Sequence, residues 1–342
     1  VMERAWTDYV KHFTTPKHKT IGGQSRVQVR IYELGGTLYG STSSASNYIR
    51  LSARRVASFR CKRDSTPVHE LFHRVQYASG YVSGASEKYW AVEGTAAWSQ
   101  KYLAGHIGDY LSRFGSAMAS PDKALFTRKY DAITLWLHLG RWTGDERAGV
   151  SLLWKNFAQN HKKYRYALAP SLDATVQTLV GRNLDHEWLI EQWSLSTLTK
   201  DAPNATRTQT YEEQGMVRRC DYKVYGPVPG IKWTKVMALK PGPPTQLTGK
   251  VTPYGSDYLM INLDPAVQTV ELFMSGDAGH GFAFNVEERD AANQITQIHR
   301  SGRHTGKQAF SLPVSAAGPA RLGLVITALG LGGNWLVKGE GK

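Results

Sequence analysis

The sequence predicts an α+β protein in two parts: a mostly helical domain with a small sheet near its start, then an antiparallel β-sandwich. Three observations predict this. Before residue 52 short segments alternate apolar and polar side chains, and from residue 65 to about 198 apolar residues recur at helical spacing. Thr199 to Gln209, TKDAPNATRTQ, is polar, carries a proline and reads as a linker. Beyond it the period falls to two, in short evenly spaced segments broken by Gly, Pro, Asn and Asp, the pattern of a sandwich or jelly roll. The expected domains are residues 1–200 and 211–342, with the linker at 201–210.

In chain order, Met2 to Phe13 has helical spacing, and Val27–Tyr32, Thr37–Gly40 and Tyr48–Leu51 read as short strands. Helices are expected around 65–78, 90–102, 102–118, 130–139, 145–160, 171–181 and 184–198, the last of them walling a cleft with the others. His161–Tyr166 reads as an exposed loop. Ten strands are expected between Val217 and Val337, beginning with Val217–Tyr225. Asp277, His280 and Asp290 are scattered among them as loop residues.

The stretch from Ser65 to Tyr102 carries the chemistry. His69-Glu70-Leu71-Phe72-His73 fits H-E-x-x-H. On a helix, residues i and i+4 share a face, so two imidazoles can reach one metal ion while Glu70 stands beside them. Two histidines plus one carboxylate form a catalytic zinc set that leaves a coordination position open. Glu93, in EGTAAW, is the candidate carboxylate. Thr66-Pro67 reads as the start of the first helix, hydroxyl at the N-cap and proline at N1. Val68, Leu71, Phe72 and Val75 give it a core face. Gly94, Ala96 and Ala97 would let the Glu93 helix approach it closely.

HELFH followed by EGTAAW resembles the gluzincin metallopeptidases, in which a second, glutamate-bearing helix supplies the third ligand. The resemblance implies a zincin-like catalytic domain with one Zn²⁺ per chain on His69, His73 and Glu93, and Glu70 as general base. It also implies a polypeptide substrate aligned along the edge strand of the small sheet. Tyr130 is the candidate oxyanion donor, because in the resembled families a tyrosine at the start of a later helix has that role. His106 and His138 are alternatives. A metzincin would have glycine and histidine where this chain has Gln76 and Ser79. The thermolysin-like aspartate is absent, its position being Ala97. The expected activity is that of a zinc-dependent endopeptidase. Two other readings stand beside it: a protein binding a cell surface or polymer through an inactive zincin domain, and a zinc-dependent lytic enzyme of bacterial cell walls.

Composition narrows the setting. With 342 residues, 41% hydrophobic and 20% charged, the chain is an ordinary globular sequence. No apolar run reaches the roughly 18–20 residues of a membrane span. No signal peptide precedes the domain, as expected of a processed secreted or periplasmic protein. The formal charge of +14 suits anionic cell-surface polymers or simple solubility. No RNA-binding, zinc-finger or basic-zipper pattern accompanies it, so no specific nucleic acid is expected. Arg54, Arg55, Arg60, Lys62 and Arg63 form either a rim selecting acidic substrate or a solvated connection. Cys61 and Cys220 form one disulfide or two buried thiols.

Overall fold

The computed structural model describes residues 1–58, 60–82, 88–163, 167–220, 223–305, 307–313 and 321–342. The end of the expected loop at 161–166 lies outside them. The chain is mixed α/β and divides into two compact units: residues 1–116, 126–186 and 215–228 form one, and 117–125, 187–214 and 229–342 the other.

The first unit opens with α1 (Met2–His12), followed by the hairpin β1 (Lys19–Ile21) and β2 (Gln24–Arg26). A three-stranded sheet follows, from β3 (Gln28–Tyr32), β4 (Gly40–Ser41) and β5 (Tyr48–Ser52). Its order is β3-β5-β4, with β3 parallel and β4 antiparallel to the central β5, so β4 is an edge. Helices α2 (Ala53–Ser58), α3 (Arg60–Ala78), α4 (Tyr89–Ala104) and α5 (Leu111–Ala119) come next. The 3₁₀ turn Tyr130–Ala132 leads into α6 (Ile133–Thr143), then α7 (Ala148–Asn160) and α8 (Ala169–Leu179). Val68, Leu71, Phe72 and Val75 are fully buried on α3, as their spacing predicts. Tyr9, Phe13, Phe72 and Trp98 meet edge to face or tilted, joining α1 to α3 and α4.

Two features differ from the sequence reading. Helix α3 begins at Arg60, so Pro67 lies inside it rather than at its first turn. An internal proline removes one hydrogen bond and crowds the preceding turn. The turns before it are anchored from outside: Cys61 is bonded to Cys220, and Asp109 accepts from Ser65 Oγ and Lys62 Nζ, each at 2.7 Å. The second difference is Val217–Tyr225. It forms a separate small hairpin, β6 (Arg218–Cys220) and β7 (Lys223–Tyr225), and belongs to this helical unit through the disulfide.

The second unit contains α9 (His186–Thr199) and nine strands: β8 (Lys235–Leu239), β9 (Thr245–Val251), β10 (Ser256–Leu263), β11 (Thr269–Gly276), β12 (Gly281–Arg289), β13 (Ile295–His304), β14 (Lys307–Pro313), β15 (Arg321–Leu329) and β16 (Gly333–Gly341). They form a five-stranded sheet, β13-β12-β15-β10-β8, and a four-stranded sheet, β14-β11-β16-β9. Pairing is antiparallel except between β8 and β10. Leu259, Phe284 and Leu324 from the first sheet share one core with Val270, Leu272, Trp335 and Val337 from the second.

Helix α9 was expected among the cleft helices. It covers the outer side of the five-stranded sheet instead, where Leu195 and Leu198 pack with Tyr258, Ile231 and Val325. Every residue of β12 is therefore buried. The expected linker is part of the same unit: Asn204 exchanges two 2.7 Å bonds with the Ile295 backbone, and Thr199 Oγ1 donates to Gln209 O. The unit boundaries accordingly fall at 186/187, 214/215 and 228/229 rather than at 201–210. Among the described residues no helix is long and apolar enough to cross a membrane.

Candidate metal centre

Helix α3 presents His69 and His73 one turn apart, and α4 brings Glu93 to meet them. His69 Nε2 lies 3.1 Å from His73 Nε2 and 3.2 Å from Glu93 Oε2, and His73 Nε2 lies 3.6 Å from the same oxygen. A tetrahedral ion with ligands at 2.0–2.1 Å sets them about 3.3 Å apart, so this triangle has the size of three zinc ligands. The orientation agrees as well. His73 Nδ1–H donates to Gln76 Oε1 at 2.7 Å, which turns Nε2 toward the centre of the triangle, the nitrogen a metal would take. The Gln76 amide is held in turn, its Nε2 donating to Val92 O and Thr95 Oγ1 on α4. One glutamine thus sets the imidazole and ties the two ligand helices. The donor set and its geometry fit Zn²⁺.

Glu70 points beside the triangle. Gly40 of β4 lies directly over it: a Cβ there would stand 2.7 Å from Thr66 Cγ2 and 3.0 Å from Glu70 Cγ, so only glycine permits this approach. Glu70 Oε2 is buried without a hydrogen-bond partner among the described residues. Burial raises the Glu70 pKa, against the opposing pull of His73 and His69. Burial would lower that of His73, but the Glu93 charge and hydrogen bond lift it to about 9. Partial burial would raise the Glu93 pKa, yet His73 and His69 hold its carboxyl well below the usual range.

Tyr130 stands at the same place. Its ring centre is 5.6 Å from that of His69 and its hydroxyl faces Glu93. Burial, then the Glu93 charge, keep that hydroxyl protonated far above neutral pH. The alternatives do not reach the site. His106 is exposed beyond the end of α4. His138 is fully buried on α6, its Nε2 accepting from Trp142 Nε1 at 3.0 Å. Gly94 meets Trp136 and Ala132, not α3, so the small residue admits α6 rather than the first ligand helix.

Two cavities open on the centre. One, of about 240 Å³, is walled by His73, Glu93, Tyr77, Tyr81, Tyr89 and Tyr130. The other, of about 390 Å³, is walled by Thr37–Gly40, Lys62, Thr66, Gln100, Arg113 and Tyr130, with His69 and Glu70 at its base. The tyrosines had a signal in the sequence: His69, His73, Tyr77 and Tyr81 follow at four-residue steps, and the last three rings stack in series. Arg113 had none. Of the five-residue basic cluster, Lys62 lines the larger of these two cavities. In the second unit Asp277, His280 and Asp290 do not gather into a metal-binding group among the described residues.

No family model matches the chain, and no curated protein matches it. Among solved structures, the pre-peptidase C-terminal domain of a Bacillus anthracis collagenase is 10% identical, with TM-score 0.24, over 32% of this chain and 97% of that one. PliG from Aeromonas hydrophila, a periplasmic inhibitor of g-type lysozyme, is 15% identical with TM-score 0.21, over 32% of this chain and 98% of that one. The Yersinia pseudotuberculosis mitogen is 10% identical with TM-score 0.24, over 29% and 86%. Likenesses of this size carry no functional argument.

Proposed function

We propose that the helical unit is a gluzincin-like zinc endopeptidase domain. The observation that carries the reading is the triangle of His69, His73 and Glu93 with an unpartnered Glu70 carboxylate beside it. Bound there, Zn²⁺ supplies Lewis acidity toward a water and a carbonyl. Glu70 takes the proton of the attacking water and returns it to the leaving amine, a role suited by a carboxyl whose pKa burial has raised. The Tyr130 hydroxyl, protonated at any working pH, donates to the developing oxyanion. The edge of β4 offers backbone groups to an extended peptide. The Cys61–Cys220 disulfide supports a secreted or periplasmic setting.

Two measurements test this. Elemental analysis should find one zinc per chain, and an unstructured protein such as casein should be cleaved, with loss of both on chelation. A protein that takes up no zinc at neutral pH sinks the proposal. Zinc with no proteolysis but clearing of bacterial cells would favour the wall-lytic reading.

A further inference from the structure

The two cavities differ in chemistry, and the difference concerns the substrate. The smaller one is a tyrosine box. The larger is lined by two cations, Lys62 and Arg113, together with His69 and Glu70. Their states are unequal. Lys62 is neutralised: its ammonium lies 2.7 Å from Asp109 Oδ2, a buried carboxylate that also accepts from Ser65. Arg113 has no carboxylate partner among the described residues. It lies over the Tyr130 ring, guanidinium carbon 4.4 Å from the centroid. Stacking occupies the flat face of a guanidinium and leaves its in-plane N–H donors available. Glu70 is not its partner either, since the cationic groups acting on that carboxyl are His73, His69 and Arg50.

From this geometry we infer that Arg113 makes the larger cavity a subsite for a carboxylate side chain, Asp or Glu, of the peptide being cleaved. This rests on the peptidase reading above and specifies its substrate. A planar guanidinium lining a polar cavity can bind a carboxylate through two parallel hydrogen bonds. Thr37, Thr66 and Gln100 line the same space and can complete the shell of the second carboxylate oxygen. Tyr130 beneath Arg113 couples the subsite to the centre, so the acidic side chain sits at one fixed position relative to the scissile bond. The tyrosine box offers no cation to an acid, and the two sides of that bond are thereby distinguished.

The rival reading is that Arg113 only steadies Tyr130. The two separate on substrate selectivity, because a steadying residue affects acidic and neutral peptides alike. The zinc-loaded full chain is given a random-sequence peptide library, and its cleavage sites are read by mass spectrometry. Acidic residues should be enriched at one position. Matched peptides differing only as Glu against Gln there should differ in kcat/KM by roughly 10- to 100-fold. Arg113→Ala should bring that ratio close to one, and Arg113→Glu should invert it in favour of Lys. Arg113→Lys, which keeps the charge and loses the fork, should leave a reduced preference. Should the variants fold poorly, the wild-type ratio itself decides: a charge-read subsite loses selectivity as salt rises. Cleavage without acidic enrichment, or a ratio unchanged in Arg113→Ala, overturns the subsite and leaves the peptidase standing. No cleavage of any peptide overturns the peptidase reading and the subsite with it.

Discussion

Both units bury charged groups, and two of the clusters are finished in opposite ways. In the strand unit the cluster around Arg289 closes on fixed partners. Arg289 donates Nε and Nη2 to the two oxygens of Glu287 at 2.8 and 3.0 Å, and its remaining donors go to Leu198 O and Asn293. Asp257 accepts from Trp335 Nε1 at 2.6 Å. In the helical unit Lys62–Asp109 and Arg128–Asp131 are paired likewise, but the groups at the metal centre stay incomplete: Glu70 Oε2 and His69 Nδ1 have no partner among the described residues. Desolvating a polar group without a partner costs free energy, so its persistence calls for a ligand or a reaction. Buried charge in this chain thus has two meanings, distinguished by whether its hydrogen bonds close.

The sharpest way to break that comparison is to alter the open group. Glu70→Gln is nearly isosteric and leaves all three ligands in place. It should keep the zinc and the melting temperature while lowering proteolysis by about 10²- to 10⁴-fold, the usual worth of a general base. Zinc analysis, thermal melting and casein hydrolysis, beside wild type, check it. Equal hydrolysis by both proteins would remove Glu70 from the mechanism.

The closed group should behave in reverse. Arg289→Met leaves the Glu287 carboxylate buried and unpaired, and should destabilise the strand unit by about 3–5 kcal/mol. Adding Glu287→Leu should recover most of the loss, since replacing a whole buried pair by apolar residues is close to neutral. Neither change should alter zinc content. Chemical denaturation with metal analysis gives both readouts, and a loss of zinc in the single variant would count against the distinction drawn here.

How much of this was legible in the sequence follows from the range of the interactions. His69, His73 and Glu70 are fixed by one helical turn, and the core face of Val68, Leu71, Phe72 and Val75 by the same period; such local signals survive in a sequence. The Glu93 helix was found through its own short motif. What failed depends on distant residues. Pro67 reads as a helix start because the anchors that carry α3 back to Arg60 are Cys220 and Asp109, far along the chain. The period of α9 shows a helix but not that its apolar side would cover a sheet. Val217–Tyr225 reads as strand, and its described parts Arg218–Cys220 and Lys223–Tyr225 are strands, yet they belong with the helices through a disulfide that spacing left open. Arg113 lies on an unremarkable helix, and its guanidinium over Tyr130, without a carboxylate partner among the described residues, sets it apart only in three dimensions.

Gln76 tests whether order around the centre depends on the closed contacts that surround it. It is the group that fixes the His73 tautomer and reaches across to α4. Gln76→Leu keeps the volume and removes those bonds. Zinc affinity, measured by competition with a chelator, should fall by about 10- to 100-fold, the usual effect of losing an outer-shell partner. An unchanged affinity would show that packing alone orients His73.

The smallest expected effect concerns a histidine that is buried like the ligands but set apart from the centre on α6. His138 accepts from Trp142 through Nε2, so its proton sits on Nδ1 and the ring is neutral. Burial, with the nearby Arg141 charge, lowers its pKa from 6.5 to about 3. In the unfolded chain the ring takes its proton near pH 6.5; in the folded chain it does not until about pH 3. Between those values the unfolded state binds more protons, so stability rises with pH. The contribution is complete above pH 6.5 and is lost as pH falls toward 3, at about 1.4 kcal/mol per pH unit, or roughly 2 kcal/mol between pH 7 and 5. Protonation of the zinc ligands would add its own slope, so the wild type alone is uninformative. His138→Phe, which fills the same apolar site without titrating, isolates the term. Its unfolding free energy should fall less steeply than that of wild type from pH 7 to 5, with the two curves separating by about that amount. Parallel curves would mean that His138 is already protonated in the folded protein, and the neutral state assigned to it would be wrong.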